Sequence, residues 1–316
     1  MEKRRLGRSD MEITVLGLGT WVFGKAPHWK DVDDDESIRT IHAAIDMGIN
    51  FLDTAKAYGD GYSESIVGKA IKGRRDEVFL ASKCGADPKI IKKDIDDCLK
   101  RMGIDYIDLY QVHYPRTSIP IAETMGAMAE IQKAGKIRYI GVSNFSLEQL
   151  KDALETVRFE CCQPPYNIFW RQIEEDILPF CREHEIGVIC YSPLAQGLLT
   201  GKFRSRSQVP DDVRANNKLF QEGVFEKCLE VVDFMEGIAR RHNRTLAEVA
   251  LNWVIHQPGV TAAIVGARRP SQLQENLGGA GWSLTDEEIK QIGHRGLEVS
   301  KLLDYSTNMW GYKPPA

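Results

Sequence analysis

The chain has 316 residues, 43% hydrophobic and 27% charged, the balance of a globular protein with apolar material for a sizeable core. A net charge of −4 and a pI of about 6.0 exclude a basic footprint for nucleic acid or an anionic membrane. No apolar run approaches the ~18 residues of a transmembrane helix, and the seven cysteines, an odd number without metal-ligand spacing, suit free thiols in a reducing, cytoplasmic compartment.

In chain order, "RRLGRSDMEITV" reads as a hairpin turning at "GRSD", placed to cap the bottom of the fold. "VLGLGT" is a first buried strand, and the acidic "DVDDDE" at 31–36 reads as a solvated loop and helix start, not a metal site. Then β-rich segments alternate with helical periods: "NFLD" with "SESIVGKAIKG", "VFLASK" with "KIIKKDIDDCLKRMG", "DLYQVH" with "IAETMGAMAEIQKAG", and "YIGVS" with "SLEQLKDALETV". Gly103 and Gly135 stand where helices end, Ser146 is an expected N-cap, and Met125 and Met128 share a core-facing helix side.

"CCQPPYN" is an irregular sixth strand, whose neighbours Cys161 and Cys162 point to opposite faces. "GVICYS" at 187–192 is the seventh, and "AAIVGA" at 262–267 the eighth, before a helix opened by Ser271. Eight βα units predict an α/β protein: one domain over residues 1–316, a (β/α)8 TIM barrel with an N-terminal β-hairpin and a C-terminal extension. Two stretches break the rhythm: residues 202–223 read as a functional loop or lid, and "DYSTNMWGYKPPA" reads by default as a frayed tail, with a pocket edge or an oligomer contact as the alternatives.

Asp53, Lys83, His113 and Ser143 recur at intervals of thirty residues, one βα unit each, at equivalent strand ends. On a barrel, those ends share the rim where sites form. Tyr58 adds a proton donor. An ammonium at Lys83 is expected to lower the tyrosine's pKa, a carboxylate at Asp53 to hold that ammonium charged, and His113 to orient a carbonyl oxygen. Such a site lacks a nucleophile and needs hydride from elsewhere. "GDGYSE" at 59–64 is only half of a dinucleotide fingerprint, whereas "GARRPSQLQEN" at 266–276 offers arginines before a helix start, a place to grip phosphate.

The D-T-A-x-x-Y-G of "GINFLDTAKAYGDGYSESIVGKAI", followed in order by "GKIRYIGVSNF", "QPPYN", "YSPLAQGLLTGK" and "GARRPSQLQEN", resembles the aldo-keto reductases along essentially the whole chain. Among subgroups the chain most resembles the bacterial general-stress and inositol-cluster reductases, and it shares segments with the potassium-channel β subunits. The resemblance implies NADPH-dependent reduction of a small carbonyl substrate, with Tyr58 as acid, Asp53 and Lys83 tuning it and His113 orienting the carbonyl. It further implies Ser143, Asn144 and Gln163 on the nicotinamide carboxamide, Tyr191 stacked on that ring, and Gly19, Thr20 and Trp21 at the pocket mouth. Ser192, Leu194, Gln196, Gly197 and Lys202 would follow the pyrophosphate. Beyond strand-final Gly266, Arg268 would meet the 2′-phosphate, and Gln272, Glu275 and Asn276 the adenosine.

Relatives carry an acid where this chain has Arg116, which would favour an anionic substrate only if it faced the pocket. Trp21, Phe23, His28 and Trp29 offer aromatic walls. A competing class is a nucleotide-sensing binding protein of the channel β-subunit kind, with little turnover. A metal-dependent barrel enzyme is weaker for want of ligand spacing. The sequence assigns no oligomeric state, monomer or homo-oligomer.

Overall fold

The computed structural model describes residues 1–25, 29–305 and 308–311. An antiparallel hairpin, β1 (Lys3–Arg5) and β2 (Glu12–Thr14), precedes a closed parallel barrel. Its eight strands are β3 (Leu16–Gly19), β4 (Phe51–Asp53), β5 (Phe79–Cys84), β6 (Ile107–Val112), β7 (Ile137–Ser143), β8 (Cys161–Gln163), β9 (Gly187–Tyr191) and β10 (Ala262–Gly266), with β10 closing on β3. Helices on the outside bury the outer faces of the strands, which is why β6 is buried at every residue and reads as a continuous apolar run broken only at Asp108 and Gln111.

The helices are α1 (Asp34–Asp46), α2 (Tyr62–Ile71), α3 (Pro88–Met102), α4 (Ile121–Lys133), α5 (Leu147–Thr156), α6 (Ile177–Glu183), α7 (Val224–His242), α8 (Leu246–Ile255), α9 (Pro270–Leu277) and α10 (Asp286–Ser300). Their starts follow local chemistry. Asp33 accepts from the Glu36 amide, so the acidic stretch is a helix start, and Ser146 forms a reciprocal capping box with Gln149. Gly103 ends α3 at φ 68, a conformation other residues resist. The expected start of α9 shifts: Arg269 occupies the cap position, with Pro270, whose φ is preset for a first turn, leading the helix in place of Ser271.

The hairpin plugs the barrel's bottom. Leu6, Met11 and Ile13 pack with Phe51, Ala81, Leu109 and Cys161 in an inner apolar cluster, separate from the outer core that holds Cys162. Arg4 Nη1 pins the plug by donating to the carbonyls of Ile255 at 2.7 Å and Val260 at 2.9 Å. Gly187 suits the close approach of the plug, since a Cβ would stand 2.4 Å from Leu6 Cδ1 and 2.9 Å from the Gly7 backbone nitrogen. The bottom is sealed, so the strand C-termini bound the open end. Among the described residues no helix is long and apolar enough to cross a membrane, and all seven cysteines are free and buried.

Candidate active site

Parallel register brings the strand ends to one rim: Gly19 pairs with both Asp53 and Gly266, Lys83 with Gln111, and Ser143 with Gln163. Lys83, 1% exposed, points inward from β5. Its Nζ lies 2.5 Å from Asp53 Oδ1, 3.0 Å from the Thr54 carbonyl and 3.1 Å from Tyr58 Oη. An ammonium has three hydrogens, and here each has an acceptor. Because Lys83 donates to the phenol oxygen, the Tyr58 hydrogen is left for the cavity. The second oxygen of Asp53 receives Gln163 Nε2 at 2.9 Å and Gln111 Nε2 at 3.3 Å.

Tyr58 rides on the loop between β4 and α2, and that loop lies flat against the one after β3. Gly59 has φ +67, and a Cβ on it would sit 1.8 Å from the Gly24 carbonyl oxygen. The glycine of "YGDG" is therefore there for backbone contact, not for a phosphate. His113 follows β6, its amide bonded to the Cys84 carbonyl, and its ring stands 5.9 Å from that of Tyr58 and is stacked by Tyr114 at 5.0 Å. Asn144 Nδ2 holds the His113 carbonyl at 2.9 Å, while Asn144 Oδ1 accepts from Tyr191 Oη at 2.8 Å.

The electrostatics differ from expectation at one point. Burial works to strip the Lys83 proton, but the Asp53 carboxylate and the Tyr58 oxygen outweigh it, so its pKa is raised and the ammonium persists. The Tyr58 pKa, expected to fall, is instead raised: burial penalises the phenolate more than Lys83 favours it, and Asp53 opposes it too. Burial, with repulsion from Lys83, pulls His113 down to about 3. The site therefore holds a protonated phenol beside a neutral imidazole at any ordinary pH.

From this rim a cavity of about 1080 Å³ extends across the barrel mouth toward α9, room for a dinucleotide and a small molecule together. Nearly all the expected residues line it: Gly19, Trp21, Asp53, Ser143, Asn144, Gln163, Tyr191, Ser192, Leu194, Gln196, Gly197, Lys202, Gly266, Arg268, Gln272, Glu275 and Asn276. Thr20 does not. It is fully buried, its hydroxyl donating to the Asp53 carbonyl at 3.0 Å and accepting from Ser63 at 2.8 Å, so it braces the rim. Phe23 is 1% exposed in the outer core and is no pocket wall. Arg116 is not among the lining residues, and His28 lies outside the described residues.

Other lining residues were not singled out from sequence. The loop 202–223 delivers Arg214, whose guanidinium lies 5.6 Å from the Trp29 ring, which Arg268 faces at 5.0 Å. Burial and mutual repulsion with Arg214 pull down the pKa values of both Lys202 and Arg268, with Asp212, which Arg214 binds, offsetting part of the charge. Cations crowded so in a cleft suit phosphate groups. For the C-terminal stretch the default of a frayed tail gives way to the pocket edge: Asn308 and Trp310 line the cavity, Met309 is fully buried, and its carbonyl accepts from the Lys218 amide at 2.8 Å. The pocket aromatics of that tail were the available signal; Arg214 had none beyond the loop's length.

A tyrosine hydroxyl held by a buried lysine and carboxylate, at the C-terminal mouth of a βα barrel and beside a cationic cleft, is an arrangement suited to an oxidoreductase that acts on carbonyl groups with a nucleotide cofactor. The chain belongs to the aldo/keto reductase family, which it matches over residues 15–294, a family that works with nicotinamide cofactors. It is 41% identical over 307 residues to the aldo-keto reductase YhdN of Bacillus subtilis, covering 92% of each chain. With the NADH-specific methylglyoxal reductase of Escherichia coli it shares 35% over 314 residues, covering 91% of this chain and 96% of the other. The glycerol dehydrogenase structure from Gluconobacter oxydans superposes with a TM-score of 0.88 at 38% identity, covering 97% and 98%.

Proposed function

We propose that the protein is a cytoplasmic NADPH-dependent reductase of small aldehydes or ketones, with Tyr58 as its proton donor. The observation that carries this reading is the Lys83 ammonium donating to Tyr58 Oη at 3.1 Å while Asp53 holds it charged. A nicotinamide held in the cavity would supply the hydride. Tyr58 gives its hydrogen to the carbonyl oxygen as the alkoxide forms, and Lys83 stabilises the phenolate left behind. Neutral His113 offers one N–H to the same oxygen, which fixes the carbonyl without competing for the proton. Ser143, Asn144, Gln163 and Tyr191 present the polar atoms and ring that hold the nicotinamide end. Free thiols throughout support a reducing compartment.

The choice of NADPH rests on the crowding of Lys202, Arg214, Arg268 and Arg269 around the far end of the cavity. That choice is open to test, because one relative is described as specific for NADH. Arg268→Ala and Arg214→Ala are each expected to raise the Michaelis constant for NADPH roughly 10- to 100-fold, the worth of a charge-assisted contact, and to change that for NADH less than about 2-fold. Equal effects on both cofactors would remove the 2′-phosphate role.

The pH profile is a second check. His113 loses its proton as pH rises through about 3 and is already neutral at pH 5, and the raised Tyr58 pKa keeps the phenol protonated well into alkaline solution. Reductive kcat is expected to be flat from about pH 5.5 to 9 and to fall only beyond. A midpoint near the ordinary histidine value of ~6.5 that vanishes in His113→Gln would contradict this.

A further inference from the structure

Gln111 on β6 is fully buried, does not line the cavity and takes no part in the proton path above. Its surroundings nevertheless constrain a residue that does face the cofactor. The Asp53 carboxylate can only accept, so both nearby amides must turn nitrogen toward it: Gln163 Nε2 at 2.9 Å and Gln111 Nε2 at 3.3 Å. Once Gln111 is so turned, its Oε1 faces Gln163 Nε2 at 3.1 Å, and the Cys161 thiol approaches the same oxygen at 4.0 Å. Gln163 Nε2 has two hydrogens, and Asp53 and Gln111 take both. Gln163 Oε1 receives no hydrogen bond from any described residue, and its side chain lines the cavity.

We infer that Gln111 is a positioning residue: with Asp53 it locks the Gln163 amide so that Oε1, and not the NH2 group, is offered to the N–H donors of the nicotinamide carboxamide. Turning Gln163 over would set its oxygen against two buried acceptors at once, Asp53 Oδ2 and Gln111 Oε1. The same two amides hold the Asp53 oxygen that Lys83 does not, so the orientation of the ring and the charge of the lysine depend on one buried carboxylate. The inference rests on the nicotinamide reading of the cavity.

The test separates the nicotinamide end from the phosphate end of the ligand, using NADP+ and 2′,5′-ADP, which lacks nicotinamide, in fluorescence titrations of the whole protein. In Gln111→Met the dissociation constant of NADP+ is expected to rise about 5- to 10-fold, the effect of one hydrogen bond, while that of 2′,5′-ADP stays within about 2-fold and so also reports an intact fold. Gln111→Glu supplies a second arm. Facing Asp53, Lys83 and Cys161, the new carboxyl can donate to Asp53 only while it keeps a proton, so the ratio of the two constants is expected to match wild type in acid and to depart from it as pH rises. Wild type is expected to show no such trend. Equal weakening of both ligands, no change in either, or a pH-independent ratio in the Gln111→Glu protein would overturn the role. Failure of the wild type to bind NADP+ or NADH at all would instead sink the reductase reading beneath it.

Discussion

Tyr58→Phe is expected to reduce carbonyl substrates roughly 10²- to 10⁴-fold more slowly than wild type, the range for a missing general acid, while binding NADPH equally well. The substitution keeps the ring that stands 6.3 Å from Trp21 and 5.9 Å from His113, and removes only the oxygen that Lys83 contacts. Steady-state kcat beside a binding titration checks both halves. Turnover at the wild-type rate would show that another group delivers the proton. A loss of cofactor affinity equal to the loss of rate would show that the tyrosine only shapes the pocket.

Lys83→Met should cost activity and stability together. Removing the ammonium leaves the Asp53 carboxylate buried and without its counter-ion, a change worth about 3–5 kcal/mol, because Gln111 and Gln163 satisfy one of its oxygens but carry no charge. The melting temperature is expected to drop by several degrees and kcat by about 100-fold or more. Adding Asp53→Asn to Lys83→Met removes the orphaned charge. The double variant is therefore expected to regain much of the lost stability and none of the activity. Recovery of activity, or strictly additive destabilisation, would argue that the 2.5 Å contact is not a coupled pair.

The proton site was more legible in the sequence than the cleft beside it. Asp53, Lys83, His113 and Ser143 could be placed together because a βα unit of constant length returns each strand end to the same rim, and the structure does bring them there. Ser146 and Gly103 were readable for a similar reason, since a cap is decided by neighbours three or four residues away. Thr20 and Phe23 were misplaced. Their residue types suit a pocket mouth, but whether a side chain beside a strand end turns to the cavity or under the loop depends on packing partners such as Ser63.

Arg214, Asn308 and Trp310 reach the cavity from segments with no periodicity, and only their docking shows it. The pKa of Tyr58 is the sharpest case. Pairing with Lys83 argued for a fall, and the depth of burial, which no sequence pattern states, reverses the sign.

By itself, then, the sequence determined the barrel, the order of its strands, the plugging hairpin and the residues at each strand end, because periodicity, capping and βα length are local properties of the chain. Only the tertiary structure decided which groups share a hydrogen and which stand uncompensated. Asp53 and Gln163 meet across 110 positions of sequence, and Lys202 and Arg214 on one long loop repel Arg268, which follows β10. Such relations exist once the barrel closes, since hydrogen bonds act over about 3 Å and charges over a Debye length of roughly 10 Å, distances that chain separation does not encode.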